Sequence, residues 1–232
     1  MRTIHFMGIS NGLKPLYILD SLVKHRVFFR DKKIFLITDL EKNNGEIEKL
    51  CFQNGITVLK VDASHIENNI SDILPTEPEL LVTIGWSKLI PMSFLSVFKY
   101  AINCHGGLLP DNRGNNVYMH NYANLSGYYG ATVHYMNKNF DDGNIILKSE
   151  AKLFLEETPL IIHRRICEMT AAMIPEAIQL VWGGYAGEKQ TGIARYFYKL
   201  SRSEMESLRQ KNIDNIRKGK PLEITRHKEW KL

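Results

Sequence analysis

"YAINCHGGLLPDNRG", residues 100–114, is the stretch on which the fold turns. Its first half is an apolar run of strand length. It then stops in Asn103 and His105, two glycines, and a Pro-Asp-Asn-Arg-Gly turn. As i and i+2 at a strand end, Asn103 and His105 project to the same side. One offers an amide donor and the other a ring that titrates near neutral pH. Polar groups and flexible backbone where a buried strand ends are what a parallel sheet requires, because its ligands lie beyond the carboxyl ends of its strands.

Working outward, ELLVTIGW (79–86) is a second such run, ending in Gly85-Trp86. PMSFLSVF (91–98) between them reads as a short helix with Pro91 in its first turn. Further upstream, residues 3–9 form a first strand and SNGLKPLYILDSLVKH (10–25) places Leu16, Leu19, Leu22 and Val23 at helical spacing. KIFLIT (33–38) and ITVLKV (56–61) are strands, separated by a charged helix over 41–54 that Gly55 closes. A weak helix over 65–74 follows, punctuated by Pro75 and Pro78. Apolar strands alternating with helices predict a Rossmann-like α/β fold with a mostly parallel, doubly wound sheet. Three strand ends, at 10–12, 85–86 and 103–107, then share one crevice.

Downstream, YMHNYANLSG (118–127) suits a helix, YYGATVHYM (128–136) a strand, and NKNFDDGN (137–144) a loop. IILKSEAKLFL (145–155) is another strand, read as antiparallel to its predecessor. Thr158 as N-cap and Pro159 at N1 open a long helix to about Trp182. Its apolar stripe is Ile162, Ile166, Met169, Met173, Ala177 and Leu180, and Pro175 is expected to kink it. The organisation expected is a body over 1–186 and a basic extension over 187–232.

The totals, 232 residues with 44% hydrophobic and 24% charged, are those of a globular protein. No apolar run approaches the roughly 20 residues that span a bilayer, and MRTIHFMGIS is too short and too soon polar for a signal peptide. Cys51, Cys104 and Cys167 form no CxxC pair, which argues for a reducing, cytoplasmic setting and against a zinc site or disulfides. Residues 196–232 hold ten Lys/Arg and five Asp/Glu, which accounts for the whole net charge of +5. Acids interleave with bases there, so a solvated surface is favoured over a nucleic-acid arm.

Gly8-Ile9-Ser10-Asn11-Gly12 matches the G-x-S-x-G of a hydrolase nucleophile elbow, but an elbow stands over a formed sheet and this one is on the first strand. Two readings remain: a structural turn, or a turn whose N–H groups at Ser10, Asn11 and Gly12, helped by Lys14, hold an anion. Asp141-Asp142-Gly143 is a carboxylate turn between two strands. An amide, an imidazole and a carboxylate at strand ends can together pass an acyl group to an amine. The amide and a protonated imidazole stabilise the oxyanion, and the carboxylate orients the imidazole and raises its pKa.

Four blocks in order carry a resemblance: Asn103-x-His105-x-x-Leu108-Leu109-Pro110, Arg113-Gly114, Gly130-Ala131-Thr132-Val133-His134, and Asp141-x-Gly143-x-Ile145-Ile146. Together they resemble the folate-dependent formyltransferases, over roughly residues 1–185. The resemblance implies 10-formyltetrahydrofolate as formyl donor, an amine as acceptor, no metal, and Asn103, His105 and Asp141 as the catalytic groups. It implies that Trp86, Lys88, Leu89 and Ile90, in the loop 85–91, and Phe140 hold the pterin. Ser10, Asn11, Gly12, Lys14 and Arg113 are the expected substrate contacts. That family usually has Pro then Ser after the histidine; here Gly106 and Gly107 stand instead. The tail ARYFYKLSRSEMESLR (194–209) is similar to the extension of sugar-nucleotide N-formyltransferases, which implies a dTDP- or UDP-linked amino sugar as acceptor. The 46 residues from Gly187 are too few for the separate barrel of methionyl-tRNA enzymes. Glycinamide ribonucleotide is the alternative acceptor, a catalytically idle nucleotide-binding module the rival of another class, and a homodimer is expected by family likeness alone.

Overall fold

The computed structural model describes residues 2–10, 12–24, 26–40, 45–62, 66, 74, 78–86 and 88–232. Strands β1 (Thr3–Met7), β2 (Lys33–Asp39), β3 (Thr57–Val61), β4 (Leu80–Thr83) and β5 (Tyr100–His105) are parallel. The two-residue β6 (Arg113–Gly114) lies outside this sheet, whereas β7 (Tyr128–Tyr135) and β8 (Ile145–Lys152) extend it antiparallel. The strand order β3-β2-β1-β4-β5-β7-β8 reverses direction at β1, and the turns after β1 and β4 therefore open on one crevice.

Side-chain alternation builds two cores. Ile4 and Phe6, Leu80 and Val82, Ile102 and Cys104, and Ala131 and Val133 point to the face covered by α1 (Leu13–Lys24), α3 (Glu46–Gln53) and α6 (Pro159–Trp182). Met7, Ile37 and Leu81 point to the other, against Phe94 and Leu95 of α4 (Met92–Leu95). Each fully buried Leu or Ile contributes about 1.5–3 kcal/mol, so these strands read as continuous apolar runs because both faces are covered.

The four-residue α2 (Arg26–Phe29) was not foreseen. The charged helix expected over 41–54 begins at Glu46 with Gly45 at its N-cap; residues 41–44 lie outside the described residues. Of the weak helix over 65–74 only Ile66 and Leu74 are described, and Pro75 also lies outside. α6 has Thr158 as N-cap, its side chain accepting from the Ile161 amide at 3.3 Å, and runs unbroken through Pro175. All three cysteines are buried and unpaired. Among the described residues no helix is long and apolar enough to cross a membrane.

Beyond α6 the chain adds β9 (Ile193–Phe197), α7 (Arg202–Arg217) and β10 (His227–Lys231). β9 pairs parallel with β6 and antiparallel with β10, a second sheet beside α5 (Val117–Ala123). Ser201 and Glu204 form a capping box that starts α7. Arg209 of α7 donates to the carbonyls of Tyr122 (2.8 Å) and Leu155 (2.6 Å), and Asn212 donates to that of Ala123 (3.0 Å). Buried polar side chains aimed at the otherwise orphaned carbonyls near the α5 C-terminus fix the extension in place.

Candidate active site

Strand register assembles the site. Thr83 of β4 sits opposite Asn103 of β5, and Asn103 sits opposite His134 of β7. All three fall on the alternation phase facing away from α6, so a row of polar side chains crosses three neighbouring strands. Hydrogen bonds run along the row. The Thr83 hydroxyl donates to Asn103 Oδ1 at 2.5 Å, and Asn103 Nδ2 donates to His134 Nε2 at 3.1 Å. His134 Nδ1 lies 2.8 Å from the Tyr135 carbonyl, which requires a proton on Nδ1 and leaves Nε2 to accept. The chain thereby fixes both the flip of Asn103 and the tautomer of His134.

Asp141 arrives from the loop between β7 and β8, where Ile146 is bulged and the pairing shifts after Val133. Its backbone has φ 50, in the left-handed region. One carboxylate oxygen, Oδ2, accepts from the Gly114 amide at 3.0 Å. The other, Oδ1, lies 3.4 Å from Asn103 Nδ2, 3.4 Å from His105 Nδ1 and 3.6 Å from His134 Nε2. The three residues that the sequence singles out, Asn103, His105 and Asp141, thus meet around one point.

His105 has an acceptor on each side. Its Nε2 is 2.6 Å from the Asn112 carbonyl, a contact that needs an N–H, and its Nδ1 faces Asp141. Burial lowers the ring's pKa; Asp141 and the Asn112 carbonyl pull it upward without overcoming burial, and His134 and Lys14 add to the lowering. The carboxylate raises the imidazole pKa as expected, but desolvation outweighs it. In the neutral ring the Asn112 contact places the proton on Nε2 and leaves the lone pair on Nδ1. Burial alone would raise the Asp141 carboxyl, yet His105, His134 and the Gly114 amide hold it well below the usual carboxylate range.

Gly107 makes the His105–Asn112 contact possible. A Cβ there would lie 2.6 Å from the Asn112 carbonyl oxygen and 2.9 Å from His105 Nε2. Lys14, from α1, reaches the opposite face of β5 and donates to the Cys104 carbonyl at 2.6 Å.

A cavity of about 1040 Å³ encloses these groups. Its lining includes Trp86, Lys88, Leu89, Ile90 and Phe140, and also Gly12, Lys14, Tyr118, His163, Tyr196 and Arg202. Two expected substrate contacts are corrected. Ser10 is buried, with its amide bonded to Asp39 Oδ1 at 2.8 Å, and does not line the cavity. Arg113 is buried beneath the Asp141 loop, paired with Asp142 at 2.8 Å and Gln190 at 2.7 Å, and does not reach the cavity either. Asn11 lies outside the described residues. Sequence reading missed Thr83, Asn112 and Gln190, and gave His134 no role. Thr83 had a signal: it is the polar residue two after Leu81 at the end of a buried strand, as Asn103 is two after Ala101.

Residues 22–178 match the family described as formyl transferase. A methionyl-tRNA formyltransferase of Bacillus licheniformis is 31% identical over 204 residues, covering 82% of this chain and 61% of its own. The chain spans about three fifths of the length of several such relatives. Among solved structures, glycinamide ribonucleotide transformylase 1 from Symbiobacterium toebii superposes with a TM-score of 0.65 at 21% identity, covering 79% of this chain and 89% of that one. A sugar N-formyltransferase from a Shewanella species gives 0.64 at 20%, covering 90% and 87%.

Proposed function

The chain belongs to the formyl transferase family, and from that membership we propose that it passes a formyl group from 10-formyltetrahydrofolate to the amine of a nucleotide-linked amino sugar. The observation that carries this reading is an acceptor-flanked His105 beside Asn103 and Asp141 in a cavity lined by both apolar and cationic side chains. About 1040 Å³ is at the top of the range for one drug-sized ligand, so two reactants have room to meet.

The apolar part of the lining fits a flat heteroaromatic ring. Trp86, Leu89, Ile90 and Phe140 would hold it, with Lys88 placed for an anionic tail. When bound there, 10-formyltetrahydrofolate supplies an activated formyl carbon and a nitrogen leaving group. His105 Nδ1 takes the proton shed by the attacking amine. The imidazolium so formed is stabilised on one side by the Asn112 carbonyl and on the other by Asp141. Asn103 turns an N–H of Nδ2 toward the formyl oxygen as negative charge develops on it, while Thr83 keeps the amide from flipping. His105 then returns its proton to the departing nitrogen, and the ring is neutral again.

The aromatic and cationic part of the lining suits a nucleoside diphosphate. Tyr118 and Tyr196 offer aromatic faces, and Lys14 and Arg202 carry charges with no carboxylate partner among the described residues. Glu206 shares this wall and is hydrogen-bonded from Tyr122. Tyr196 and Arg202 come from the segment after Gly187, so we read 1–186 as the catalytic body and 187–232 as an extension that shapes acceptor choice. Parallel formyl-transfer assays with dTDP- and UDP-linked amino sugars, glycinamide ribonucleotide and methionyl-tRNA test the assignment. Turnover of an amino sugar alone is expected; turnover confined to the ribonucleotide or the tRNA rejects this acceptor.

A further inference from the structure

The turn that carries Asp141 is held from below, and neither side chain that holds it reaches the cavity. Gln190 is buried, and its amide nitrogen donates to two carbonyls of the turn, Asp141 at 3.0 Å and Gly143 at 2.9 Å. Its amide oxygen accepts from one arm of the Arg113 guanidinium at 2.7 Å. A second arm of Arg113 pairs with Asp142 Oδ1 at 2.8 Å. Each residue of the Asp141-Asp142-Gly143 turn is therefore bonded by Gln190 or Arg113. Arg113 in turn lies against the Trp230 ring of β10, at 5.2 Å, and its neighbour Gly114 supplies the amide that holds Asp141 Oδ2.

We propose that Gln190 and Arg113 are positioning residues that clamp the Asp141–Gly143 turn and so set the distance of the Asp141 carboxylate from His105 and Asn103. The inference rests on the formyl-transfer reading for its kinetic consequence, though not for its geometric one. Asp141 sits at φ 50, a conformation that a non-glycine residue keeps only when its surroundings enforce it. The residue types fit the task. An amide side chain is needed to donate twice and accept once at a single point, and a planar fork is needed to reach two acceptors; a lysine ammonium is a single point charge. Gln190 is itself pinned by the preceding exchange between Glu188 and Ile145, with N–H···O distances of 2.7 and 2.8 Å, at the start of β8. The C-terminal segment thus reaches the reacting groups from beneath as well as walling the acceptor end.

Gln190→Met, close in volume and without donors, is compared with Asp141→Asn and with the double variant. A carboxylate displaced by about an ångström costs on the order of 10²-fold in rate. We expect kcat of Gln190→Met to fall at least 10-fold, with KM for both substrates within about threefold of the parent. If the clamp acts through Asp141, the double variant is no slower than Asp141→Asn alone. Gln190→Glu keeps the acceptor for Arg113 and loses both donors. It must show the same non-additive loss, and decides the matter should the methionine variant fail to fold. An activity-free readout is the NMR titration of the His105 ring, which Asp141, His134, Lys14 and the Asn112 carbonyl surround. Its midpoint should move down in Gln190→Met, toward that of Asp141→Asn. Additive rate losses, or a His105 midpoint unchanged in a folded Gln190→Met, overturn the clamp. A parent that transfers no formyl group overturns the enzymatic reading instead, and the titration still decides the clamp.

Discussion

In the proposed mechanism His105 acts as a base only while its Nδ1 lone pair is free, and burial keeps it free at a lower pH than an exposed imidazole would. For this mechanism kcat/KM rises with pH as the ring loses its second proton, and the midpoint of that acid limb falls below the ordinary histidine value of about 6.5. Asp141→Asn removes an interaction that pulls the ring upward. Its limb should shift further toward acid while the plateau drops by about 10²- to 10⁴-fold. Rates measured from pH 4 to 8 check both points, and a parent limb at or above 6.5 contradicts them. Gly107 gives a prediction opposite to its family's habit. Gly107→Ser puts a Cβ where the Asn112 carbonyl and His105 Nε2 already meet, so it should lower kcat about 10-fold, with folate binding little changed. The sequence placed Asn103 and His105 together because two residues of equal parity at a strand end must share a side. It misplaced Ser10 and Arg113 because nothing local tells a charged or hydroxyl side chain that tertiary packing will bury it.

At the level of elements, the row Thr83–Asn103–His134 exists only because β4, β5 and β7 pair in one register. Thr83→Val keeps the shape and leaves Asn103 Oδ1 without its donor. We expect a loss of about 1–3 kcal/mol in urea unfolding, together with a kcat lowered roughly 10-fold as the amide loses its fixed flip. Stability and rate both equal to the parent would deny the row any role. β4 was legible because burial on both faces gives it a continuous apolar run, and β1, β2, β3 and β5 through shorter apolar runs, although β3 at the sheet edge is only part-buried. β6 was not, since two residues carry no periodicity, and β9 and β10 were hidden by alternation between aromatic and charged residues in a short second sheet. The antiparallel sense of β7 against β5 also left no local mark, because their connection passes through β6 and α5.

Across the molecule, three histidines outside the proposed catalytic trio, His5 and His120 in the interior and the half-buried His163 of the cavity wall, govern tolerance to acid. Burial pushes His5, His120 and His163 down to about 4. Such groups bind protons more readily in the unfolded chain, where the value is near 6.5. Stability is therefore full above pH 6.5 and falls as pH drops from there toward 4. Thermal melts across that range should show it, and His5→Phe should lessen the fall, because His5 already stacks on Phe35 at 4.6 Å with an interplanar angle of 8°. His120 bonds to Thr225 Oγ1 at 2.8 Å, between α5 and the C-terminal segment, so acid should loosen that junction as well.

Side chains along a strand alternate between two destinations, and a slip of one position swaps them all. Were β7 to dock one step out, the place of His134 would go to Val133, now in the core, or to Tyr135. A misaligned chain would have nothing to offer between full competence and none. Counting competent molecules in a refolded batch would then count those whose β7 had found its place.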